Sequence, residues 1–81
     1  MGGSMPSGTV QTLREARIAR LLTIRALASR AGVSPYTVHQ VERGVRPPRF
    51  GTIRLISAAL GVEPEAVAEF RAVLTGEEKT R

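Results

Sequence analysis

The stretch AGVSPYTVHQVERG, residues 31–44, decides the fold of this chain. Gly32 can take the left-handed backbone that ends one helix. Ser34, followed by a proline, is a typical start for the next helix, because a Ser hydroxyl caps the first turn and proline loses no hydrogen bond there. Val38 and Val41 lie three residues apart on one face of that helix. The stretch predicts two short helices joined by a tight turn, the helix-turn-helix arrangement.

The other face of this helix is mostly polar. It presents Pro35, Tyr36, Thr37, His39, Gln40 and Arg43. Such a face, with a free first turn, suits the major groove of DNA. Gln40 is either a bidentate partner of adenine or a solvated residue, and Tyr36 either meets a thymine methyl or phosphate or packs in the core. His39 is either a base or phosphate contact or a surface residue without function. We predict that Tyr36, Gln40 and His39 read bases.

The charge is distributed unevenly along the chain. Residues 1–54 contain nine Arg and two Glu, whereas residues 55–81 contain three basic and five acidic residues. The basic part indicates either a surface that faces a polyanion or a solvated Arg-rich surface. On the first interpretation, the predicted phosphate-binding residues are Thr23, Arg25, Thr37, Arg43, Arg46 and Arg49.

The composition argues against several classes of protein. The 81 residues include no Cys, no Asp and a single His, so disulfides and thiolate metal sites are excluded, and we expect no metal and no cofactor. No set of nucleophile, base and orienting group can be assembled, so we expect no enzyme. There is no apolar run of ~18 residues and no signal peptide. We therefore expect a cytoplasmic, nucleoid-associated protein with no membrane contact and no evident small-molecule ligand.

Proline and glycine divide the chain into helical segments. Residues 1–8, MGGSMPSG, look like a tag, a linker or a disordered terminus, residues 9–75 form one domain, and residues 76–81 form a frayed tail. We predict helices over residues 10–21, 24–30, 34–44, 50–60 and 64–74, with the helix-turn-helix over 23–44. No stretch alternates like a strand. The fold class is all-α, a compact bundle of about five short helices.

Two apolar stripes complete this interpretation. In the first helix, Val10, Leu13, Arg17 and Leu21 lie on or near one stripe. In the last helix, Val67, Phe70 and Leu74 recur at intervals of three and four residues. These three residues either close the domain's own core or, with Leu55 and Val62, form a dimer surface.

Residues 13–67 resemble the phage-repressor and Cro-like helix-turn-helix family, also called the xenobiotic-response-element (XRE) family. The matching pieces are LREAR at 13–17, LTIRALASRAGVSPYTVHQVERG at 22–44, PRFGTI at 48–53 and AALGV at 58–62. The run from 13 to 67 covers about two-thirds of the chain. The resemblance implies a lambda-repressor-like fold and a sequence-specific regulator of transcription that binds double-stranded DNA. It implies a repressor acting as a homodimer on an inverted repeat.

The resemblance also implies roles for single residues. Arg17 and Glu42 match a structural ion pair, and Arg49 matches a position at or near the minor groove. Pro35 matches a base-reading position that meets base edges or phosphates, where proline can offer only van der Waals contact. The chain departs from the family at Ile24, where a Gln often braces a phosphate, and at Leu21, where a Gly is common. The alternatives are an antitoxin or restriction-modification controller that represses its own promoter, or a helical protein-interaction module that has lost DNA binding.

Overall fold

The computed structural model describes residues 10–76. Its helices are α1 (Leu13–Ala19), α2 (Ile24–Ala31), α3 (Pro35–Arg43), α4 (Phe50–Leu60) and α5 (Ala68–Leu74), with a 3₁₀ turn over Pro64–Ala66. The predicted all-α class of about five short helices is confirmed. No helix in this range is long and apolar enough to cross a membrane. The predicted N-terminal segment at 1–8 and all but the first residue of the predicted tail lie outside the described residues.

The turn between α2 and α3 forms as the sequence predicts. Gly32 adopts a left-handed φ of 77°. The N–H groups of Gly32 and Val33 donate to the Ala28 carbonyl at 2.9 and 3.0 Å. The Ser34 hydroxyl then accepts a hydrogen bond from the Thr37 N–H at 3.1 Å and caps α3. Both helix ends at the turn therefore have their free backbone groups satisfied by local chemistry.

The core is built around α2, which lies against both α3 and α4. Ala28 and Ala31 on its inner face are small, so α3 can approach closely. The buried apolar residues are Leu13, Ala16, Leu27, Ala28, Ala31, Val38, Val41, Ile53, Ile56, Leu60, Val67 and Phe70. Every helix contributes to this set. Of α3, only Val38 and Val41 are buried, so the outward side of this helix does not pack in the core.

The first helix is shorter than predicted at both ends. It begins at residue 13 because Thr12 and Glu15 form a reciprocal capping box. The Glu15 N–H donates to Thr12 Oγ1 at 3.1 Å, and the Thr12 N–H donates to Glu15 Oε1 at 2.9 Å. The predicted stripe is wrong at its two ends, since Val10 precedes the helix and is exposed, and Leu21 follows it and is 91% exposed.

The last predicted helix is interrupted. Val67 has an extended backbone between the 3₁₀ turn and α5. The Gln11 N–H donates to the Ala66 carbonyl at 2.9 Å, and the Ala68 N–H donates to the Gln11 carbonyl at 2.7 Å. These bonds, together with one from the Leu13 N–H to the Glu69 carboxylate at 2.8 Å, tie the start of α1 to the start of α5. The helical periodicity of the sequence does not reveal this long-range pairing, so the interruption could not be predicted from it.

Leu21 has a strained backbone. Its φ of 56° is the only positive value at a residue other than glycine within 10–76. The left-handed conformation costs an L-residue about 1–2 kcal/mol. Its side chain is almost fully exposed, so it adds little burial in return.

We predict that Leu21→Gly raises the free energy of unfolding by about 0.5–1 kcal/mol, because the relieved strain exceeds the chain entropy that glycine adds. Urea denaturation measures the change. Ala19→Gly, in the last turn of α1 where the backbone is helical, is the control and should lower the stability by about 0.5–1 kcal/mol. A Leu21→Gly protein less stable than the parent would contradict this account of the turn.

Candidate nucleic-acid interface

The inner face of α3 sets the direction of its outer face. Val38 and Val41 are buried against α2 and the rest of the core. A helix turns 100° per residue, so this arrangement places Tyr36 and Arg43 along the centre of the outward face, two turns apart. Tyr36 is 69% exposed. An aromatic side chain this open contradicts the alternative that it packs in the core.

The two flanks of the outward face differ. Thr37 and Gln40 are half-buried and face the loop that follows α3. Pro35 and His39 are exposed on the other flank. Each flank therefore has its own neighbours, and His39 does not share those of Gln40.

A groove of about 390 Å³ runs between α3 and the loop that leads to α4. It is lined by Tyr36, Thr37, Gln40, Val41, Arg46, Pro47, Pro48, Arg49 and Thr52. The groove thus brings together two of the predicted base-reading residues and three of the predicted phosphate-binding residues. Its walls carry aromatic, amide, hydroxyl and guanidinium groups within one concave surface.

The remaining predicted site residues lie outside this groove. Arg43 is exposed near the end of α3. Thr23 and Arg25 lie at the start of α2, where the Thr23 hydroxyl accepts a hydrogen bond from the Ala26 N–H at 3.0 Å. The capping role of Thr23 occupies one lone pair of its oxygen and leaves the hydroxyl hydrogen able to donate.

The Thr37 hydroxyl has a defined partner. Its oxygen lies 3.0 Å from Ser34 Oγ, and either oxygen can be the donor. When Ser34 donates, the Thr37 hydrogen is free to point into the groove. A phosphate contact through Thr37 therefore depends on the hydroxyl orientation of its neighbour.

Thr52 is the groove residue that the sequence interpretation missed. It lies in the first turn of α4, after the PRFG segment, and is half-buried. A residue with a hydroxyl group follows Arg49 and its basic loop closely in the sequence, and this pattern could have identified Thr52. Pro47 and Pro48 were noted as helix punctuation, yet they also form one wall of the groove.

Two arginines of the basic part of the chain donate hydrogen bonds within the domain and so stabilise the fold. The Arg20 guanidinium donates to the Leu60 carbonyl at 2.8 Å and to the Ala16 carbonyl at 2.9 Å. Arg17 is buried. The Arg17 charge is therefore not available to a polyanion, whereas the side chain of Arg20 remains exposed.

Arg17 and Glu42 form a bidentate ion pair. Arg17 Nε lies 2.6 Å from Glu42 Oε2, and Nη2 lies 3.0 Å from Oε1. Arg17 Nη1 also donates to the Leu22 carbonyl at 2.9 Å. The hydrogen bond to Glu42 raises the pKa of Arg17 above its ordinary value, against the opposing effect of burial. One guanidinium thereby joins α1, the α1–α2 turn and the end of α3.

The predicted dimer surface is wrong at two of its five residues. Val67 and Phe70 are 0% exposed and belong to the domain's own core, so neither can meet a second chain. Leu55 and Leu74 are 46% and 42% exposed, and Val62 is half-buried against the core. Val67 and Phe70 therefore close the domain's own core, which was one of the two interpretations of the apolar stripe.

The fold and the free face of α3 together define an all-α helix-turn-helix protein. The helix-turn-helix family model matches residues 13–67. The chain belongs to this family, the XRE or lambda-repressor-like helix-turn-helix proteins, which are DNA-binding regulators of transcription rather than enzymes. Among curated proteins and solved structures, no significant match to the chain is found.

We predict that Glu42→Ala lowers the free energy of unfolding by about 3–5 kcal/mol, because it strands the buried Arg17 charge. Thermal unfolding followed by circular dichroism measures the change, with the exposed Glu65→Ala as control. DNA binding of the variant, compared at a temperature where it remains folded, should match that of the parent. Normal stability with lost binding would show that Glu42 acts at the interface instead.

Proposed function

We propose that the protein is a sequence-specific repressor that binds an inverted-repeat operator in duplex DNA as a homodimer. The observation that supports this proposal most is the groove beside α3. There Tyr36 and Gln40, which suit base edges, stand next to Arg46 and Arg49, which suit phosphates. Phosphate contacts position a protein on DNA, and base contacts specify the sequence. A surface that offers both kinds favours recognition of a particular sequence over attraction to charge alone.

In the proposed complex, α3 enters the major groove. Gln40 pairs with adenine N6 and N7, which is worth ~1–3 kcal/mol of discrimination. Tyr36 packs on a thymine methyl or donates to a phosphate. Pro35 offers van der Waals contact only, and His39 donates to a guanine or a phosphate from the opposite flank. Specificity therefore rests mainly on Tyr36 and Gln40.

The affinity common to all sequences comes from the basic residues around α3. Arg43, Arg46 and Arg49 neutralise phosphates, and Arg25 does so from the start of α2. Hydroxyls of Thr23 and Thr37 add neutral phosphate contacts. Each neutralised phosphate contributes about −0.9 to the slope of log K against log salt concentration.

The proposed dimer has twofold symmetry and places two α3 helices about 34 Å apart, in successive major grooves. The exposed Leu55 and Leu74, with the half-buried Val62, are the residues of the predicted dimer surface that remain available. Glu63 and Glu65 are exposed in the same C-terminal third of the chain. Their negative charge favours a position away from DNA.

Two other roles share parts of this evidence. An antitoxin or a restriction-modification controller would bind its own promoter through the same groove. In each of the DNA-binding roles, the protein acts in the cytoplasm at the nucleoid. A protein-interaction module that has lost DNA binding draws support from Ile24. Its side chain packs against the core at a position where related proteins often brace a phosphate.

Fluorescence anisotropy with a random duplex, over a range of salt concentrations, tests the class of function. Binding at low salt that weakens steeply as salt rises supports the proposal. The absence of binding at low salt would exclude it and leave the protein-interaction module. Selection of bound sequences from a random duplex pool then gives the operator, and an inverted repeat in the selected sites is the result expected of a homodimer.

We predict that Gln40→Ala relaxes the sequence preference at one position in each half-site, because it removes a bidentate base contact. Arg46→Ala should instead weaken binding to all sequences alike and reduce the magnitude of the salt slope by about 0.9. Selection and anisotropy on the same proteins measure both effects. Arg71→Ala, an equal loss of charge on α5, is the control. A uniform loss from Gln40→Ala would contradict its assignment as a base reader.

We predict opposite effects of Arg49→Ser on stability and on binding. Arg49 is the N-cap residue of α4 and makes no side-chain capping hydrogen bond, whereas hydroxyls cap α1, α2 and α3. A Ser at this position should raise the free energy of unfolding by about 0.5–1 kcal/mol.

The same change removes a phosphate contact, so it should weaken binding to every duplex. Urea denaturation and anisotropy measure the two effects, and Arg49→Lys, which keeps the charge without adding a cap, separates them. Unchanged DNA affinity in Arg49→Ser would exclude Arg49 from the interface.

A further inference from the structure

A second hollow, of about 220 Å³, lies on the other side of the loop that borders the DNA-facing groove. It separates this loop from α5 and is lined by Val41, Gly44, Arg46, Pro47, Pro48, Glu69, Ala72 and Val73. Most of these residues are apolar. The two charged residues are Arg46, from the loop, and Glu69, from α5.

Arg46 is the charged residue that borders both hollows. It is exposed, and within residues 10–76 its guanidinium makes no side-chain hydrogen bond and no ion pair. An arginine side chain has many accessible rotamers. The Arg46 guanidinium can therefore turn toward the DNA-facing groove or toward the hollow that faces α5.

Glu69 offers a negative charge on the α5 side. Its Oε1 accepts the hydrogen bond from the Leu13 N–H, which holds the carboxylate in place. In the described part of the chain, its Oε2 makes no hydrogen bond and no ion pair. The carboxylate is half-buried, so salt screens it less than a fully exposed charge.

We propose that Glu69 is a positioning residue that draws Arg46 away from the DNA-facing groove and so lowers the affinity for DNA. This inference rests on the proposed function, since the phosphate is the competing partner of Arg46. In the free protein the Arg46 guanidinium is attracted by the Glu69 carboxylate across the second hollow. On binding, it exchanges this partner for a phosphate, and the attraction to Glu69 is lost. A ligand or partner that neutralised Glu69 would strengthen DNA binding by the same coupling.

Glu69→Gln tests the proposal, because Gln keeps an oxygen for the Leu13 N–H and removes the charge. We expect it to tighten binding to a selected duplex by about two- to five-fold, the range for a partly exposed charge pair. Glu65→Gln, which removes an equal charge outside the hollow, should have a smaller effect. In an Arg46→Ala background, Glu69→Gln should change the affinity no more than Glu65→Gln does. Equal tightening by Glu69→Gln with and without Arg46 would reveal general repulsion and overturn the proposal.

Two further measurements keep the proposal separate from the proposed function and from folding. In NMR spectra of the protein without DNA, the Arg46 Nε–H signal should shift in Glu69→Gln and stay in place in Glu65→Gln. An unmoved signal would overturn the proposal even if DNA binds, and a moved signal would support the pairing even if no duplex binds. Ala72→Glu, which adds a carboxylate to the same hollow, should weaken DNA binding about two- to five-fold. Unchanged binding in that variant would also count against the proposal.

Discussion

The ion pair between Arg17 and Glu42 is the interaction on which the stability of the structure around α3 depends. It is bidentate, nearly buried, and shared with the Leu22 carbonyl, so it connects three parts of the chain at one point. Val38 and Val41 hold α3 against the core by apolar packing. The ion pair adds stability at the end of α3, because a guanidinium and a carboxylate that meet in one plane form two charge-assisted hydrogen bonds. The outward face that results carries Tyr36.

The proposed DNA-binding surface and the residues that stabilise the fold are largely separate, and the exceptions are informative. Arg49 stands at a helix N-cap, a position where a hydroxyl or a carboxylate stabilises better. Leu21 holds a strained backbone with its side chain in solvent. Local rules are broken at functional or strained positions more often than elsewhere. Arg49 lines the groove that we propose to meet DNA. Leu21 ends α1, where its N–H donates to the Ile18 carbonyl at 2.8 Å and the Leu22 N–H donates to the Arg17 carbonyl at 3.2 Å, so its left-handed backbone belongs to the helix end.

Much of the fold could be predicted from the sequence, because its signals are local. Gly32, Ser34 and Gly44 mark helix ends through their own backbone or hydroxyl chemistry, and each does so in the structure. The break at Val67 could not be predicted, since it depends on pairing with Gln11 at the other end of the chain. The burial of Phe70 was one of two interpretations that periodicity alone left open.

The candidate interface was predictable along α3 and less so around it. Helical spacing alone places Tyr36 and Gln40 on the outward side, and their roles there remain predictions. The groove depends on how the loop after α3 returns to α4, which local sequence does not specify, so Thr52 was missed. The role of Arg20 as an internal donor was also missed, because its partner, the Leu60 carbonyl, comes from a distant segment.

We propose that the outward face of α3 and the groove beside it form the DNA-binding surface. An NMR titration of the ¹⁵N-labelled protein with a duplex selected from a random pool tests it most directly. We expect the largest shift changes on Tyr36, Gln40, Val45, Arg46 and Arg49, while α5 beyond Glu69 changes little. Large changes confined to α4 and α5, with an unperturbed α3, would contradict it.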